Sequence, residues 1–442
     1  MNRGIDLRFV WQTALLDSFL TTWLPHSLVR DHTNGRDVDA LVPMSAWPVV
    51  AWKLAKRKDE SFVAHALLCL TLCVIGSQTQ DLRLLAEAAQ HYTRVLHQFQ
   101  AQIRLLVQTG YSAKQDDHVA SLAAAGFCCS QVEYILESWS NGDRHLQGMA
   151  SLLEACGPAC LRHEDTRNIF YDHYLLWTSC AITHHKASLY SQEAWKELDW
   201  FDFPESCKAF LKVPARLSPL LEEYDTVRQF GSASEVKDLA QRLTDIMVDI
   251  ETLGQTDNFS TRTYSTGTYP DYSRPSTPCQ VSDNSHLAIV SQAYLSAFLT
   301  KAGVAMWDLV MTLDTDKPCD FPTPKNWDAP LNHESTREGC ERHLSHICQS
   351  IDELADDRFG MITSSPLLFL LDTAWIGYQA MHDFYGYDLE EVRPWFMKIS
   401  AYVTSTGYRP LRQPWLTDNM ILGPGLRELY EVPVFEGFAN VV

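Results

Sequence analysis

One stripe of apolar residues constrains the fold more than any other feature of the sequence. Between residues 84 and 107, apolar side chains recur every three or four residues over roughly six helical turns. The stripe consists of Leu84, Leu85, Ala88, Tyr92, Val95, Leu96, Phe99, Ile103, Leu106 and Val107. This pattern predicts one long amphipathic helix with a single buried face. Such a helix needs other elements packed beside it.

The same period recurs along the chain, which predicts the fold class. Similar stripes cover residues 9–24, 119–139, 169–190, 236–253, 287–313, 340–354 and 366–385. Segments with the alternating pattern of a strand are almost absent from the sequence. We therefore expect an all-α protein, built as a large multi-helix array of antiparallel helical hairpins.

Two segments interrupt the helical pattern and suggest the domain organisation. Residues 255–285 are rich in Thr, Ser, Tyr, Gly and Pro and carry no apolar stripe, so they predict a flexible loop or linker. Residues 315–335 contain four prolines and predict a shorter connector. We expect one helical part over residues 1–254 and a second over residues 286–442 that packs on the first.

Charge and hydropathy exclude several classes of partner. The chain has 36 Lys and Arg against 55 Asp and Glu, a net charge of −19. An acidic surface repels the phosphate backbone, so direct nucleic-acid binding is not expected. No apolar run approaches the roughly 20 residues of a membrane span, and residues 62–76 are interpreted as a buried helix, so no membrane partner is expected.

The first residues and the cysteines indicate the compartment. The N-terminal residues lack the apolar core of a signal peptide, which favours a nuclear or cytosolic protein. Twelve cysteines in a chain of this length do not form a disulfide framework, and most lie on apolar faces. We therefore expect free, buried thiols.

Residues 139–158 form the most distinctive element. The segment begins at Trp139, continues with His-Leu-Gln-Gly at 145–148 and Leu-Leu at 152–153, and stops at Gly157-Pro158. It is preceded by Tyr-x-x-x-Leu at 92–96, Asp-Asp at 116–117 and a helix rich in small residues. With these motifs, residues 92–190 resemble the fungal-specific transcription factor domain, also called the middle homology region. The segment 359–371 is similar to the start of a C-terminal helix in that domain.

The resemblance carries expectations about function. Proteins of the zinc-cluster transcription factor type usually carry an N-terminal zinc binuclear cluster with two Cys-x-x-Cys pairs, whereas this sequence has no Cys-x-x-Cys and its first cysteine is Cys69. The resemblance implies a transcription regulator or co-regulator, controlling a metabolic or secondary-metabolite gene cluster through protein contacts or by sensing a small-molecule effector. It implies a DNA-binding regulator as the partner. The location it implies is the nucleus, or else the cytoplasm. No cofactor is expected.

An alternative of a different class remains open. The same helical fold recruited as a cyclase-type enzyme would position a polyketide or terpenoid in an apolar cavity, and positioning alone lowers a barrier without a recognisable motif. No Gly-x-Gly-x-x-Gly, P-loop, Gly-x-Ser-x-Gly or His-Glu-x-x-His occurs in the sequence, which leans against an enzyme. The acid/base candidates of this alternative are Asp172, His173 and His184, and the ligand-pocket candidates are Trp139, Tyr174 and Trp177.

Four polar clusters are interpreted as packing or surface features, so no metal is expected. They are Cys156, Cys160 and His163; Cys340, His343, His346 and Cys348; the acidic residues at 352, 353, 356 and 357; and the basic cluster at residues 53–58. The basic cluster leaves two interpretations open, a nuclear import signal and cations placed at a helix C-terminus.

Overall fold

The computed structural model describes residues 7–24, 46–57, 61–109, 116–136, 139–196, 205–254, 285–312, 333–355, 360–361 and 364–406. Within these residues the chain is helical and has no strand, which confirms the all-α array. The helices are α1 (Leu7–Trp23), α2 (Ala46–Ala55), α3 (Ser61–Thr79), α4 (Leu82–Thr109), α5 (Asp116–Ile135), α6 (Trp139–Cys156), α7 (Glu164–Thr183), α8 (Glu193–Lys196), α9 (Glu205–Phe230), α10 (Ala233–Gly254), α11 (Ser285–Thr312), α12 (His333–Leu354), α13 (Ser364–Tyr385) and α14 (Arg393–Ser405).

Some predicted boundaries were wrong for local reasons. The stripe over residues 169–190 is not one helix, because α7 ends at Thr183 and the chain reverses through His185, whose φ is +49°. Tyr190 lies instead in a short 3-10 turn, Leu189–Ser191. The stripe over residues 119–139 is also divided, since α5 ends at Ile135 and Trp139 begins α6.

Helix α9 was missed because it contains two prolines. Pro214 and Pro219 lie inside the helix, where proline removes a backbone donor and leaves the carbonyl four residues earlier without its usual partner. Ser218 compensates in part, since its hydroxyl donates to the Ala215 carbonyl at 3.4 Å and accepts from the Ser188 N–H at 3.0 Å. The side chain of Ser218 therefore ties α9 to the chain that follows α7.

Helix α3 is the central helix of the first half of the fold. It packs against α1, α2, α4 and α5. By length and composition it is apolar enough to cross a membrane over Phe62–Thr79, with mean hydropathy 1.7, although the expectation was that no run reached that length. In this fold 67% of that window is buried among neighbouring helices, as a helix that is apolar on all sides requires.

Helix α5 is enclosed even more completely. Every residue from Val119 to Ile135 is buried, and Ala120 and the run of alanines at 123–125 allow α3, α6 and α7 to approach closely. At its middle, the ring of Phe127 stacks on Trp47 of α2 with centroids 4.9 Å apart. Because α5 has no exposed face over this stretch, its polar side chains must find partners inside the protein.

Helix α11 has the corresponding position in the second half and contacts α9, α10, α12 and α13. The Tyr224 hydroxyl donates to Asp308 at 2.7 Å, which joins α9 to α11. Apolar residues of both halves belong to one continuous core. Of the predicted linker 255–285, residues 255–284 lie outside the described residues, and Ser285 is the first residue of α11. Most of the predicted connector 315–335 lies outside them too, and α12 begins at His333.

The described cysteines are free thiols, as expected. Cys69, Cys73, Cys128, Cys129, Cys156, Cys160 and Cys348 are buried, and Cys180 and Cys340 are partly buried. Burial raises their pKa values, to about 12 for Cys73 and about 11 for Cys156, where a nearby acid adds to the effect. These thiols are therefore protonated at neutral pH and act as small apolar groups in the core.

Helix α6 occupies most of the distinctive 139–158 element. It ends at Cys156, the following Gly157 has a φ of +68°, and Pro158 opens a 3-10 turn, so the Gly-Pro pair terminates the helix as predicted. At the other end, Gly142 lies against Tyr134 of α5, and a Cβ at residue 142 would approach the Tyr134 ring to 2.4 Å. The close contact between α5 and α6 therefore requires glycine at residue 142.

We expect Gly142→Ala to destabilise the protein by about 1–3 kcal/mol, because the added methyl group overlaps a buried ring that has no room to withdraw. Gly148→Ala is the matched control on the same helix, since nothing lies within 4 Å of a Cβ placed there. That variant is expected to be neutral or to gain up to about 1 kcal/mol from helix propensity. Urea denaturation of both variants measures the difference, and equal free energies of unfolding would contradict this account.

Candidate functional site

Asp172 of α7 serves as a cap for another helix. Its Oδ2 accepts a hydrogen bond from the backbone N–H of Trp47 at 2.7 Å, and Trp47 is the second residue of α2. The first N–H groups of a helix have no partner within the helix, and a carboxylate there also interacts favourably with the helix dipole. Asp172 therefore joins α7 to the start of α2.

His173 is enclosed by hydrogen bonds on both ring nitrogens. Its Nε2 lies 2.9 Å from the carbonyl oxygen of Leu146, and its Nδ1 lies 2.6 Å from the hydroxyl of Tyr190. A carbonyl only accepts, so Nε2 carries the proton and Nδ1 accepts from the tyrosine. Burial lowers the pKa of His173 to about 4, and the ring is neutral at pH 7. Neither nitrogen is left to exchange a proton with a substrate.

His184 lies apart from these two residues, at the exposed end of α7. Its Nε2 is 3.2 Å from Oδ2 of Asp143 on α6. The other oxygen of Asp143 accepts from the hydroxyl of Tyr134 at 2.8 Å and from the thiol of Cys180 at 3.7 Å. Asp143 was missed by sequence reasoning, although it lies within the 139–158 element. The structure thus places the three acid/base candidates in three different environments.

The predicted pocket residues are packed into the core where they are described. Tyr174 is fully buried and stacks on Tyr190 with ring centroids 4.4 Å apart. Trp177 is partly buried and stacks on His173 at 6.3 Å. Trp139 is the first residue of α6, and its side chain lies outside the described residues. Tyr174 and Trp177 therefore contact other aromatic rings rather than lining an open cavity.

A second hydrogen-bonded group connects α6 to α4 and α5. The hydroxyl of Tyr92 donates to the carboxylate of Glu133 in a short hydrogen bond and lies 2.8 Å from Nε2 of His145. Because the tyrosine proton points to Glu133, the tyrosine oxygen accepts from His145. Burial lowers the pKa of His145 despite the nearby carboxylate. We call this group and its neighbours around the helix the α6 network, comprising Tyr92, Glu133, Tyr134, Asp143, His145, His173, Cys180, His184 and Tyr190.

One cluster has the composition of a cation site. Ligand atoms of Asp117, His163 and Asp165 lie within 4.8 Å of one another. Arg57, just after α2, already supplies positive charge, since its guanidinium lies 2.7 Å from Asp117 and 3.0 Å from Asp165. A metal ion would have to displace Arg57, so the cluster is an ion-pair junction between helix ends. Arg57 belongs to the basic cluster at residues 53–58, and a second member, Lys56, lies over the ring of Trp52.

The other predicted polar clusters do not converge on a metal-binding geometry. His163 points to Asp117 at 3.4 Å, whereas Cys160 is fully buried. Burial, together with neighbouring Cys156 and Asp116, raises the pKa of Cys160 to about 12. On α12, His343 lies 3.5 Å from Glu251, and the Cys348 thiol lies 3.7 Å from the hydroxyl of Tyr378. Asp352 accepts from the Trp395 indole at 3.1 Å, and residues 356 and 357 lie outside the described residues.

A small cavity lies between α11, α12 and α13. Its volume is about 10 Å³, and its lining is mainly apolar, with Trp307, Cys340 and Phe384 among the residues that form it. A cavity of this size has room for roughly one water molecule and none for an isoprenoid or polyketide chain. It is also distant in sequence from the acid/base candidates on α7.

In comparisons with known proteins, no protein-family model, no characterised protein and no solved structure matches the chain.

We expect Asp172→Ala to destabilise the protein by about 1–3 kcal/mol, because the buried N–H of Trp47 loses its acceptor. Asp172→Asn retains an acceptor oxygen at the same place and should recover a large part of that loss. Thermal and urea unfolding of the two variants provide the measurement. If the asparagine variant were as unstable as the alanine variant, capping of α2 would not explain the role of Asp172.

His173 should make stability dependent on pH. In the unfolded chain the imidazole takes up a proton near pH 6.5, whereas the folded protein resists protonation until about pH 4. The unfolded state therefore binds more protons between these values, and the contribution of His173 to stability is full above pH 6.5 and is lost as pH falls toward 4.

The corresponding test compares the wild type with His173→Gln between pH 7.5 and 4.5 by urea denaturation. Glutamine retains hydrogen bonding but does not titrate in this range. We expect the stability advantage of the wild type to shrink by up to about 3 kcal/mol as the pH falls. Other histidines with lowered pKa values contribute equally to both proteins and cancel in the comparison. A constant difference across this range would contradict a depressed pKa at His173.

Proposed function

We propose that this chain is a helical regulator or co-regulator of transcription, of the zinc-cluster transcription factor type, which acts through protein contacts. One observation supports the proposal: the candidate catalytic groups are held in contacts within the protein. Asp172 caps α2, and both nitrogens of His173 are bonded to the protein. His184 pairs with Asp143 at a helix end. A regulatory module needs a stable surface and no converging acid/base groups.

The residues behind the family resemblance support the proposal as structural determinants. Tyr92 and His145 belong to the α6 network, and Gly157-Pro158 terminates α6. Motifs of this kind specify how four helices pack, which is the property that a shared regulatory domain would preserve. Their roles here are those expected of a scaffold that presents a surface to other proteins.

The charge of the chain favours a partner that contacts DNA in its place. With a net charge of −19, the chain gains little from the phosphate backbone, whose neutralisation supplies most of the affinity of DNA-binding proteins. We therefore assign the chain to a nuclear complex in which a separate DNA-binding regulator recognises the sequence. The cavity between α11, α12 and α13 has room for about one water molecule, so no effector is assigned to it.

Deletion of the gene, with transcripts and metabolites measured in the same cultures, tests the proposal. We expect several transcripts of one gene cluster to fall together, with their products, and a wild-type copy to restore them. A copy carrying His184→Ala should restore them equally, because no chemistry is assigned to that side chain. Chromatin occupancy of the tagged protein should be found at the affected genes.

Two outcomes would overturn the proposal. Unchanged transcripts with one accumulated intermediate would mean that the chain performs or assists a chemical step, especially if the His184→Ala copy failed to remove that intermediate. No association with chromatin, even through partners, would exclude a regulator that acts at genes.

A further inference from the structure

The outer face of α4 has the opposite charge to the rest of the chain. Helix α4 carries Arg83, Arg94 and Arg104 against a single acidic residue, Glu87, in a protein whose net charge is −19. With 3.6 residues per turn, these side chains and His97 project from one side of the helix, opposite the apolar stripe that packs on α3. From residue 83 to residue 108 this side is about 38 Å long.

The arginines on this face form no ion pair with the neighbouring helices in the part of the chain that the structure describes. Arg94 and Arg104 are exposed, and neither makes an ion pair with any residue that the structure describes. Arg83 is 93% exposed and lies 3.5 Å from Asp81 at the helix start, a contact that contributes little at the surface. By contrast, both cations of α14 face acidic residues of this fold. The positive charge on α4 is therefore left for something outside the described fold.

Apolar side chains accompany the arginines at both ends of the face. Leu105 directly follows Arg104, near the C-terminus of the helix, and is 50% exposed. Leu82, at the start of the helix, is 77% exposed. Single exposed leucines are common. Here they extend a basic face with apolar contacts, which is the complement of an amphipathic segment that is acidic on one side.

The spacing of the charges favours a protein helix over nucleic acid. Duplex DNA presents one phosphate charge for every ~1.7 Å of axis and is bound by densely placed cations. Three arginines over about 32 Å are too sparse for that, and the acidic remainder of the chain would repel the polymer. Arg83, Arg94 and Arg104 are instead separated by ten or eleven residues, or three helical turns. A second helix lying alongside would meet them with carboxylates at the same interval.

We propose that the face of α4 formed by Arg83, Arg94, His97, Arg104 and Leu105 is the docking surface for an acidic amphipathic helix of a partner protein. The face would serve a regulator, an enzyme subunit or a scaffold equally, so the inference goes beyond the proposed function. A binding measurement on the purified protein tests the surface alone, whereas the deletion experiment tests the role in transcription.

The test uses the full chain and three fluorescent probes, with binding followed by anisotropy at low and at physiological salt. One probe is a synthetic 25-residue helical peptide with glutamates at three-turn intervals and a leucine near each end. The second replaces every glutamate by glutamine, and the third is a duplex DNA of similar length. The variant Arg94→Glu/Arg104→Glu reverses the charge of the face. Lys237→Glu/Arg342→Glu makes the same change in net charge at two exposed residues of α10 and α12.

We expect the acidic peptide to bind the wild type about tenfold or more tightly than the glutamine peptide, with an affinity that falls as salt rises. The α4 variant should lose about tenfold or more in affinity for the acidic peptide, and the control variant should stay within about twofold of the wild type. Circular dichroism and unfolding curves, unchanged in both variants, would show that the fold is intact.

Four outcomes would overturn the inference. Equal losses in the two variants, or no preference for the acidic peptide, would mean that the α4 face is not a specific docking surface. Binding of the DNA probe that depends on Arg94 and Arg104, without peptide binding, would assign the face to nucleic acid. A dimer of the chain in sedimentation that is lost in the α4 variant would assign the face to a second copy.

Discussion

A helix that is enclosed on every side satisfies its polar side chains only if its neighbours supply partners at fixed places, and α5 is such a helix. Glu133 and Tyr134 come at its buried C-terminal end. They are held by Tyr92 of α4 and Asp143 of α6, respectively. Shifting any of these helices along its axis would separate buried donors from buried acceptors, at a cost of about 1–3 kcal/mol for each group left unsatisfied. The hydrogen bonds of α5 thus determine the register of the surrounding helices.

Helix α6 extends the same constraint to α7. The Leu146 carbonyl accepts from His173, and Asp143 accepts from His184, so α6 contacts the middle and the end of α7 through polar atoms as well as apolar ones. Its close approach to α5 depends on the missing side chain at Gly142. In this way one helix of 18 residues contacts the three others through groups that admit a single arrangement. The conspicuous sequence pattern of residues 139–158 has a structural origin.

The features that sequence could predict are those determined by neighbouring positions along the chain. The stripe from Leu84 to Val107 predicts α4, and Gly157-Pro158 predicts the end of α6, because periodicity and termination are local properties. Helix α9 could not be found this way, since proline is unfavourable inside a helix, and the compensating bond from the Ser218 hydroxyl to the Ala215 carbonyl, which Pro219 leaves without its usual partner, is not evident from the pattern. The polar contacts between distant residues could not be predicted from the sequence either. Arg57 and Asp165 are 108 residues apart, and nothing near either residue indicates that they form a pair.

The burial of the thiols has a consequence for how this protein behaves under oxidative stress. Oxidants and alkylating agents react with the thiolate of an accessible cysteine. In the native fold Cys128 and Cys129 of α5 are enclosed, and their raised pKa values keep them protonated. A molecule that opens transiently exposes several thiols together, and modification of any of them prevents α5 from returning to its enclosed position. For the thiols of α5, chemical damage therefore depends on how often the molecule opens rather than on the chemistry of its surface.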